Sequence, residues 1–281
     1  MPADPQATVN GMRICFAIPH YRHETLLPEL LNRIGEFGLH AIIVDDGSPP
    51  GSFAVLQALA DEHNWLTLDR LEKNSGKGAA VIRALQLAKQ LNYTHAIQID
   101  ADGQHDTGDV PDFIAEAQKY PQALVSGAPV FGDDIPKARL WGRELTNFWI
   151  HVETLSRRIP DGMCGFRLYP VDAAVMLAEH SYIGRRMDFD VEFLVRAVWQ
   201  GWNVIFLPTQ VRYGQDGVSH FHMFRDNCWI TLMHTRLVIG MLVRLPVLLR
   251  RKFLAVIRAT PADNSQIDAI QTKKPRLTSE T

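Results

Sequence analysis

Cysteine is scarce in this chain: Cys15, Cys164 and Cys228 are far apart and odd in number among 281 residues. They make neither a disulfide framework nor a zinc cluster, and they fit a reducing, cytoplasmic compartment. An excess of one charge is also missing. Lys plus Arg number 29 against 31 for Asp plus Glu, a formal net charge of -2, which excludes the broad basic footprint of a nucleic-acid-binding protein. No uninterrupted run of 18 apolar residues is present, and the start, Met1-Pro2-Ala3-Asp4-Pro5-Gln6, has neither the basic nor the apolar region of an export signal. The sequence therefore shows no signal for export or for threading through a membrane. What is there is an ordinary globular composition, 46% hydrophobic and 21% charged, sufficient to bury a core.

Short apolar, β-rich runs alternate with longer segments of helical period from Arg13 onward. This is the pattern of βαβ units, and it predicts an α/β fold with a mostly parallel central sheet flanked by helices. Strands are expected at residues 13–18, 40–44, 65–71, 94–99 and 123–126, with helices near 25–37, 52–62, 78–91 and 110–119. After Pro129 the alternation breaks. A helix is expected over 137–159, a short strand at 166–169, a helix over 189–200 and strands at 203–207 and 210–213. No linker divides the halves, so residues 12–228 read as one domain between a flexible stretch, 1–11, and amphipathic helices over 229–258; the polar residues 259–281 read as a disordered tail.

In an open parallel sheet, ligands bind beyond the carboxyl ends of the strands, so acidic residues placed just after strands are informative. Two such places stand out. Val44-Asp45-Asp46-Gly47-Ser48 ends a strand in two carboxylates suited to accept hydrogen bonds from a base or ribose, or, in the plainer reading, is a polar turn capping the next helix. Ile99-Asp100-Ala101-Asp102-Gly103-Gln104-His105 carries carboxylates at i and i+2, which converge on one cation only if a turn begins at Asp100. Hard divalent ions take a few oxygen ligands and complete their shell with substrate phosphates, so a diphosphate is the implied companion; the alternative is a structural Asp-Gly loop. Between them, Asn74-Ser75-Gly76-Lys77-Gly78 is a glycine-rich start to a helix that lacks the spacing of a P-loop.

Together these residues resemble the family 2 glycosyltransferases of GT-A fold, a group that includes the polyprenyl-phosphate sugar synthases. The resemblance rests on Ile18-Pro19-His20-Tyr21, the Val-Asp-Asp-Gly-Ser turn, Asn-Ser-Gly-Lys-Gly, Asp-Ala-Asp-Gly-Gln-His, Cys164-Gly165-Phe166-Arg167-Leu168 and Phe189-Asp190-Val191-Glu192, in that order. It implies that Pro19, Tyr21, Asp46 and Lys77 surround the nucleotide and that Asp100 and Asp102 hold Mg²⁺ or Mn²⁺ on the diphosphate. Gln104 would complete the metal's shell, and Arg167 would face a phosphate of donor or acceptor. His23 stands where many lipid-phosphate members carry Glu, and Glu24 follows it.

Met187-Asp188-Phe189-Asp190-Val191-Glu192 places three carboxylates at the start of a helix, where they serve either as caps or as chemistry. The resemblance puts the general base for a sugar hydroxyl at Asp190, with Asp188 the second candidate. The stretch from Asp216 to Asn227 holds His220, His222 and Arg225, either a loop closing over a diphosphate or a surface turn. Beyond it, residues 229–258 are apolar but carry Arg236, Arg244, Arg250 and Arg251 within one arc, the layout of an interfacial helix broken at Pro246 or of a core helix with snorkelling arginines. The expectation is an inverting, metal-dependent enzyme that moves a sugar from a nucleotide-diphosphate donor to a lipid-linked or small-molecule acceptor, in the cytoplasm and plausibly against an anionic membrane face. A haloacid-dehalogenase-like phosphatase is the competing enzyme class, because Asp-x-Asp-Gly resembles its nucleophile loop, and a non-catalytic nucleotide-sugar scaffold is the competing non-enzyme.

Overall fold

The computed structural model describes residues 9, 11–131, 137–211 and 223–258. Seven strands form one sheet in the order β3-β2-β1-β4-β6-β5-β7. They are β1 Ile14–His20, β2 His40–Asp45, β3 Leu66–Arg70, β4 His95–Gln98, β5 Leu124–Val130, β6 Arg167–Pro170 and β7 Val204–Gln210. All pairings are parallel except those of β6, which runs antiparallel to both β4 and β5. The helices are α1 Leu27–Gly35, α2 Pro50–Glu62, α3 Lys77–Gln90, α4 Val110–Lys119, α5 Lys137–Thr154, α6 Val171–His180, α7 Phe189–Gln200 and α8 Met223–Arg258.

The central strands are buried on both sides, which is why they read as continuous apolar runs rather than alternating ones. Phe16, Ile18, Ala41 and Ile43 meet Leu27, Leu30, Leu31 and Ile34 of α1 and Phe113 of α4. Cys15, Ala17, Ile42 and Val44 meet the small residues of α3, and beyond them α6, α7 and α8. Burying each large side chain this fully is worth about 1.5–3 kcal/mol, so this double layer fixes the register that brings the ends of β1, β2 and β4 together.

Four differences from the sequence reading have identifiable causes. Residues 203–207 and 210–213 do not begin as two strands: β7 runs on through Pro208, which an edge strand tolerates because its unpaired side needs no donor. Helix α6 went unread although Val171, Ala174 and Val175 carry helical spacing; it starts directly after Pro170 with no linker to announce it. Helix α5 stops at Thr154 because Leu155 takes a left-handed φ of 52°. Helix α8 is not broken at Pro246 but continuous, and it begins before residue 229. Pro246 faces outward, where water can serve the carbonyl that loses its donor. His220, His222, Tyr213 and residues 259–281 lie outside the described residues.

Over Asn227–Leu254, α8 is long and apolar enough to cross a membrane by length and composition, with 28% of its most apolar window buried. Its inner face is nevertheless tied to the domain by polar contacts. His234 pairs with the buried Glu153 of α5 at 2.7 Å, Arg236 donates to Glu192 of α7, Arg251 donates to the Trp199 carbonyl and Lys252 to the Leu155 carbonyl. Arg244 lies over the Trp199 ring. Three of the four arginines of the shared arc therefore make contacts with the rest of the domain.

Candidate active site

The site is assembled by turns at the carboxyl ends of β1, β2 and β4. At the first, His20 is buried, and its Nε2 accepts from the His23 backbone N–H at 3.2 Å. That leaves the proton on Nδ1, which donates to Asp45 Oδ1 at 3.2 Å. Asp45 Oδ2 accepts from the Ser48 N–H, and Arg70 closes on the same oxygen. Burial pushes the Asp45 carboxyl up, but His20 and the Ser48 donors outweigh it and hold its pKa below the usual range. Asp45 is thus a structural clamp. It is not a wall of the cavity described below.

Asp46 lines that cavity and also holds the glycine-rich loop. Its Oδ1 accepts from the Ser75 N–H at 2.6 Å and its Oδ2 from the Gly76 N–H at 2.8 Å. Burial raises its pKa despite these donors and the nearby Arg186. The chain can turn this tightly only because Gly47 sits at φ 67°, where a Cβ would come within 2.5 Å of the Lys73 backbone. Gly76, at φ 103°, approaches the Arg185 carbonyl just as closely, which presses residues 184–188 onto the loop.

These turns enclose a cavity of about 530 Å³ whose walls include Pro19, Tyr21, Asp46, Lys77, Asp100 and Asp102. All six were expected around nucleotide or metal. Lys77 Nζ bridges Asp100 Oδ2 at 2.9 Å and Asp190 Oδ2 at 2.8 Å. Burial disfavours its charge, but the two carboxylates prevail and raise its pKa above the usual lysine value. In Asp100 the burial penalty is likewise overcome by Lys77 and His105, so its pKa falls. Burial and the charge of Asp100 raise the pKa of Asp102. Asp190 is fixed further by Gln98 Nε2, which reaches its Oδ1 at 3.2 Å, while Tyr169 donates to Gln98 Oε1 at 2.8 Å and so orients that amide.

The remaining expectations fare differently. Arg167 is completely buried, donating to the carbonyls of Asp190 and Gly162, so it shapes the backbone at Asp190 rather than facing a phosphate in the cavity. Asp188 accepts from the Arg186 N–H and lines a second cavity, whose walls share only Arg186 with the first. Gln104 is no cavity wall; its backbone N–H donates to Asp102 Oδ1. Glu24 accepts from Ser52 of α2 at 2.7 Å, while His23 lines the cavity. Sequence reasoning missed Arg186, whose guanidinium reaches Asn74, 112 positions away in sequence. His105, in the same loop as Asp100 and Asp102, stacks its ring on Phe166 and turns Nε2 toward Asp100 at 3.6 Å.

The residues present suit a hard divalent cation. Asp100 Oδ1 is buried without a hydrogen-bond partner, and Asp102 is close enough to feel the charge of Asp100. No group of three potential metal-ligating side chains occurs among the described residues.

A model of glycosyl transferase family 2 matches residues 15–175, more than half of the sequence. The chain is a family 2 glycosyltransferase. It is 25% identical over 223 residues to a polyprenol monophosphomannose synthase of Mycolicibacterium smegmatis, covering 77% of this chain and 83% of that one. A dolichyl-phosphate beta-glucosyltransferase of Trichomonas vaginalis is 28% identical over 204 residues, covering 66% of this chain and 61% of that one. Among solved structures, glucosyl-3-phosphoglycerate synthase of Mycobacterium tuberculosis with Mn²⁺ and UDP-glucose superposes with a TM-score of 0.61 at 12% identity, covering 83% of this chain and 79% of that one. S. aureus TarS with UDP-GlcNAc gives 0.54 at 17% identity, covering 80% and 66%. At such identities these structures show the shared fold alone. Within that fold, Asp100, the bridging Lys77 and Gly76 of the glycine-rich loop line one cavity.

Proposed function

We propose that this glycosyltransferase moves a sugar from a nucleoside-diphosphate sugar onto the phosphate of a membrane-borne polyprenyl-type acceptor, with inversion and with the help of a divalent cation. Relatives named for polyprenol and dolichyl phosphates support the acceptor class, and the Mn²⁺ and UDP-sugar complexes of similarly folded proteins support the donor and the ion. The observation that carries the reading is the state of Asp190. Lys77 occupies one of its carboxylate oxygens and Gln98 the other, an arrangement poorly suited to removing a proton from a hydroxyl. An ionised phosphate needs no such base.

In this reading Asp100 and Asp102 would hold the cation, and the cation would offset charge on the departing diphosphate. Lys77 and Arg186 supply further positive charge from the cavity wall, and Asp46 keeps the loop amides in place. The acceptor oxygen attacks the anomeric carbon from the face opposite the diphosphate, so the new bond forms as the old one breaks. The outer face of α8 suits the amphiphile: Leu232, Ile239, Leu242, Val243, Val247 and Phe253 are each more than half exposed. With the inner face tied to α5 and α7, the helix fits lying in the interface at the cytoplasmic side better than spanning the bilayer. Because Arg236 and Arg251 are engaged inward, binding should depend on apolar contact more than on anionic lipid.

The test is transfer from radiolabelled UDP- and GDP-sugars, with Mn²⁺, to polyprenyl phosphate or to the corresponding polyprenol in detergent. Label should enter the phosphate acceptor only, and Asp190→Asn should cost less than about tenfold in kcat, since a true base contributes roughly 10²–10⁴. Transfer to the alcohol, with a loss of that larger size in the variant, would overturn the phosphate assignment.

A further inference from the structure

Lys77 stands where a cation is wanted. It opens α3 directly after Gly76, and the missing Cβ of Gly78 lets Phe189 pack within about 2.5 Å of where that atom would be, drawing the start of α7 against the start of α3. The ammonium is thereby held between Asp100, from the end of β4, and Asp190, from α7. The backbone at Gly165 covers the pair so closely that a Cβ there would lie 2.5 Å from Nζ and 2.7 Å from Asp100 Oδ2. Asp100 has one oxygen on this ammonium and its other oxygen buried without a partner. The carboxylate best placed to bind a divalent ion is already half neutralised by the protein's own charge.

We propose that Lys77 is an internal counter-cation of the free site, which suppresses binding of a divalent ion until a diphosphate arrives. The inference rests on the metal-dependent reading above and adds an order of events to it. An ion approaching Asp100 alone meets a fixed positive charge a few ångströms away; of the carboxylates beside it, Asp190 is itself engaged by that ammonium and Asp102 remains, and mutual repulsion in a half-buried site weakens its binding. A nucleoside diphosphate changes the balance by bringing negative oxygens of its own. Lys77 can then turn from Asp100 toward phosphate, and Asp100 is released to the ion. Metal and nucleotide would load together, and the bare ion would not accumulate in an empty site.

The test is Mn²⁺ binding followed by electron paramagnetic resonance of the free ion, with and without UDP or GDP, in the wild-type chain and in Lys77→Met and Lys77→Arg. For the wild type, Mn²⁺ alone should bind weakly, and one of the nucleotides should tighten it by roughly tenfold or more. Lys77→Met should bind Mn²⁺ alone roughly tenfold more tightly than wild type and lose most of the nucleotide's enhancement. Lys77→Arg, which keeps the charge, should still bind the bare ion weakly, an outcome that a merely structural lysine does not predict. Lys77→Gln provides a second neutral variant should the Met protein fail to fold, as checked by circular dichroism. Unchanged or weaker binding of bare Mn²⁺ in the folded neutral variants overturns the inference while leaving the metal reading intact. Absence of Mn²⁺ binding by the wild type with either nucleotide removes both.

Discussion

Two acidic turns end two strands of one sheet, and they are built alike. Each follows a buried apolar strand, each carries a pair of aspartates, and each closes on a glycine with positive φ, Gly47 at 67° and Gly103 at 69°. They differ in what their oxygens do. At Asp45 and Asp46 every carboxylate oxygen has a partner inside the protein: His20, Ser48, Arg70 and the N–H groups of Ser75 and Gly76. At Asp100 and Asp102, one buried oxygen has none, and the charge of Asp100 adds to burial in raising the cost of ionising Asp102. The first turn consumes its charge in holding the fold together, and the second keeps charge in reserve for something the protein does not itself contain. An acidic pair after a strand is therefore not one kind of site, and satisfaction of its oxygens tells the two apart.

The sharpest way to separate the turns is by what each loses on truncation. Asp102→Ala should reduce transfer by roughly 10²–10³ in kcat, about 2.7–4 kcal/mol of lost transition-state stabilisation, if the cation acts as other preorganised electrostatic groups do. Its melting temperature without ligand should not fall. A variant that unfolds earlier yet retains turnover would make the second turn structural after all.

Asp46→Ala should do the opposite in the ligand-free protein. It leaves the Ser75 and Gly76 N–H groups without an acceptor where the glycine-rich loop meets residues 184–188, a loss of about 3 kcal/mol by the usual cost of unsatisfied buried donors. For a chain of this size that lowers the melting temperature by about 5 °C or more. Calorimetry without nucleotide decides it. An unchanged melting curve, with only nucleotide affinity reduced, would give Asp46 the purely binding role that the sequence suggested.

The same contrast explains what the sequence could and could not disclose. Periodicity found β1, β2, β4 and α7 because strands buried on both faces and a helix ending at a left-handed glycine, Gly201, write themselves locally. It failed at α6, joined without a linker, and at β7, where a proline inside an edge strand looked like a stop. Among the acids, the motifs pointed equally to Asp45 and Asp46, since nothing local shows that His20 and Arg70 close on the former while the latter faces a cavity. Arg167 and Asp188 were hard to place for a related reason. Their roles are set by the carbonyls of Gly162 and Asp190 and by the fold of residues 184–188, contacts that side-chain type alone does not encode. Arg186 was invisible because its partner Asn74 belongs to another element.

The smallest expected effect is also the most specific to the second turn, because it asks whether reserve charge carries a cost. Burial and then the charge of Asp100 raise the pKa of Asp102 in the folded chain. A carboxyl whose folded pKa lies above its unfolded value binds its proton more tightly in the native state, so its ionisation lowers stability as pH rises from the unfolded pKa through the folded one. At neutral pH, Asp102→Asn removes that cost while its amide oxygen can still accept from the Gln104 N–H. The variant should be more stable than wild type by about 1 kcal/mol, the range typical of relieving a functional group's strain, and less active. As pH falls through the folded pKa of Asp102 toward its unfolded value, the wild-type residue takes up its own proton and the advantage should shrink toward zero. Asp45, whose folded pKa is lowered, contributes in the other direction: its stabilisation is present above its unfolded pKa and is lost on acidification, in both proteins equally. Melting curves of the two proteins from pH 4 to pH 7 without metal therefore isolate Asp102 as a difference. A difference that is flat across that range would mean that ionising Asp102 carries no folding cost, and a variant less stable at pH 7 would mean that the second turn needs its charge for folding as the first one does.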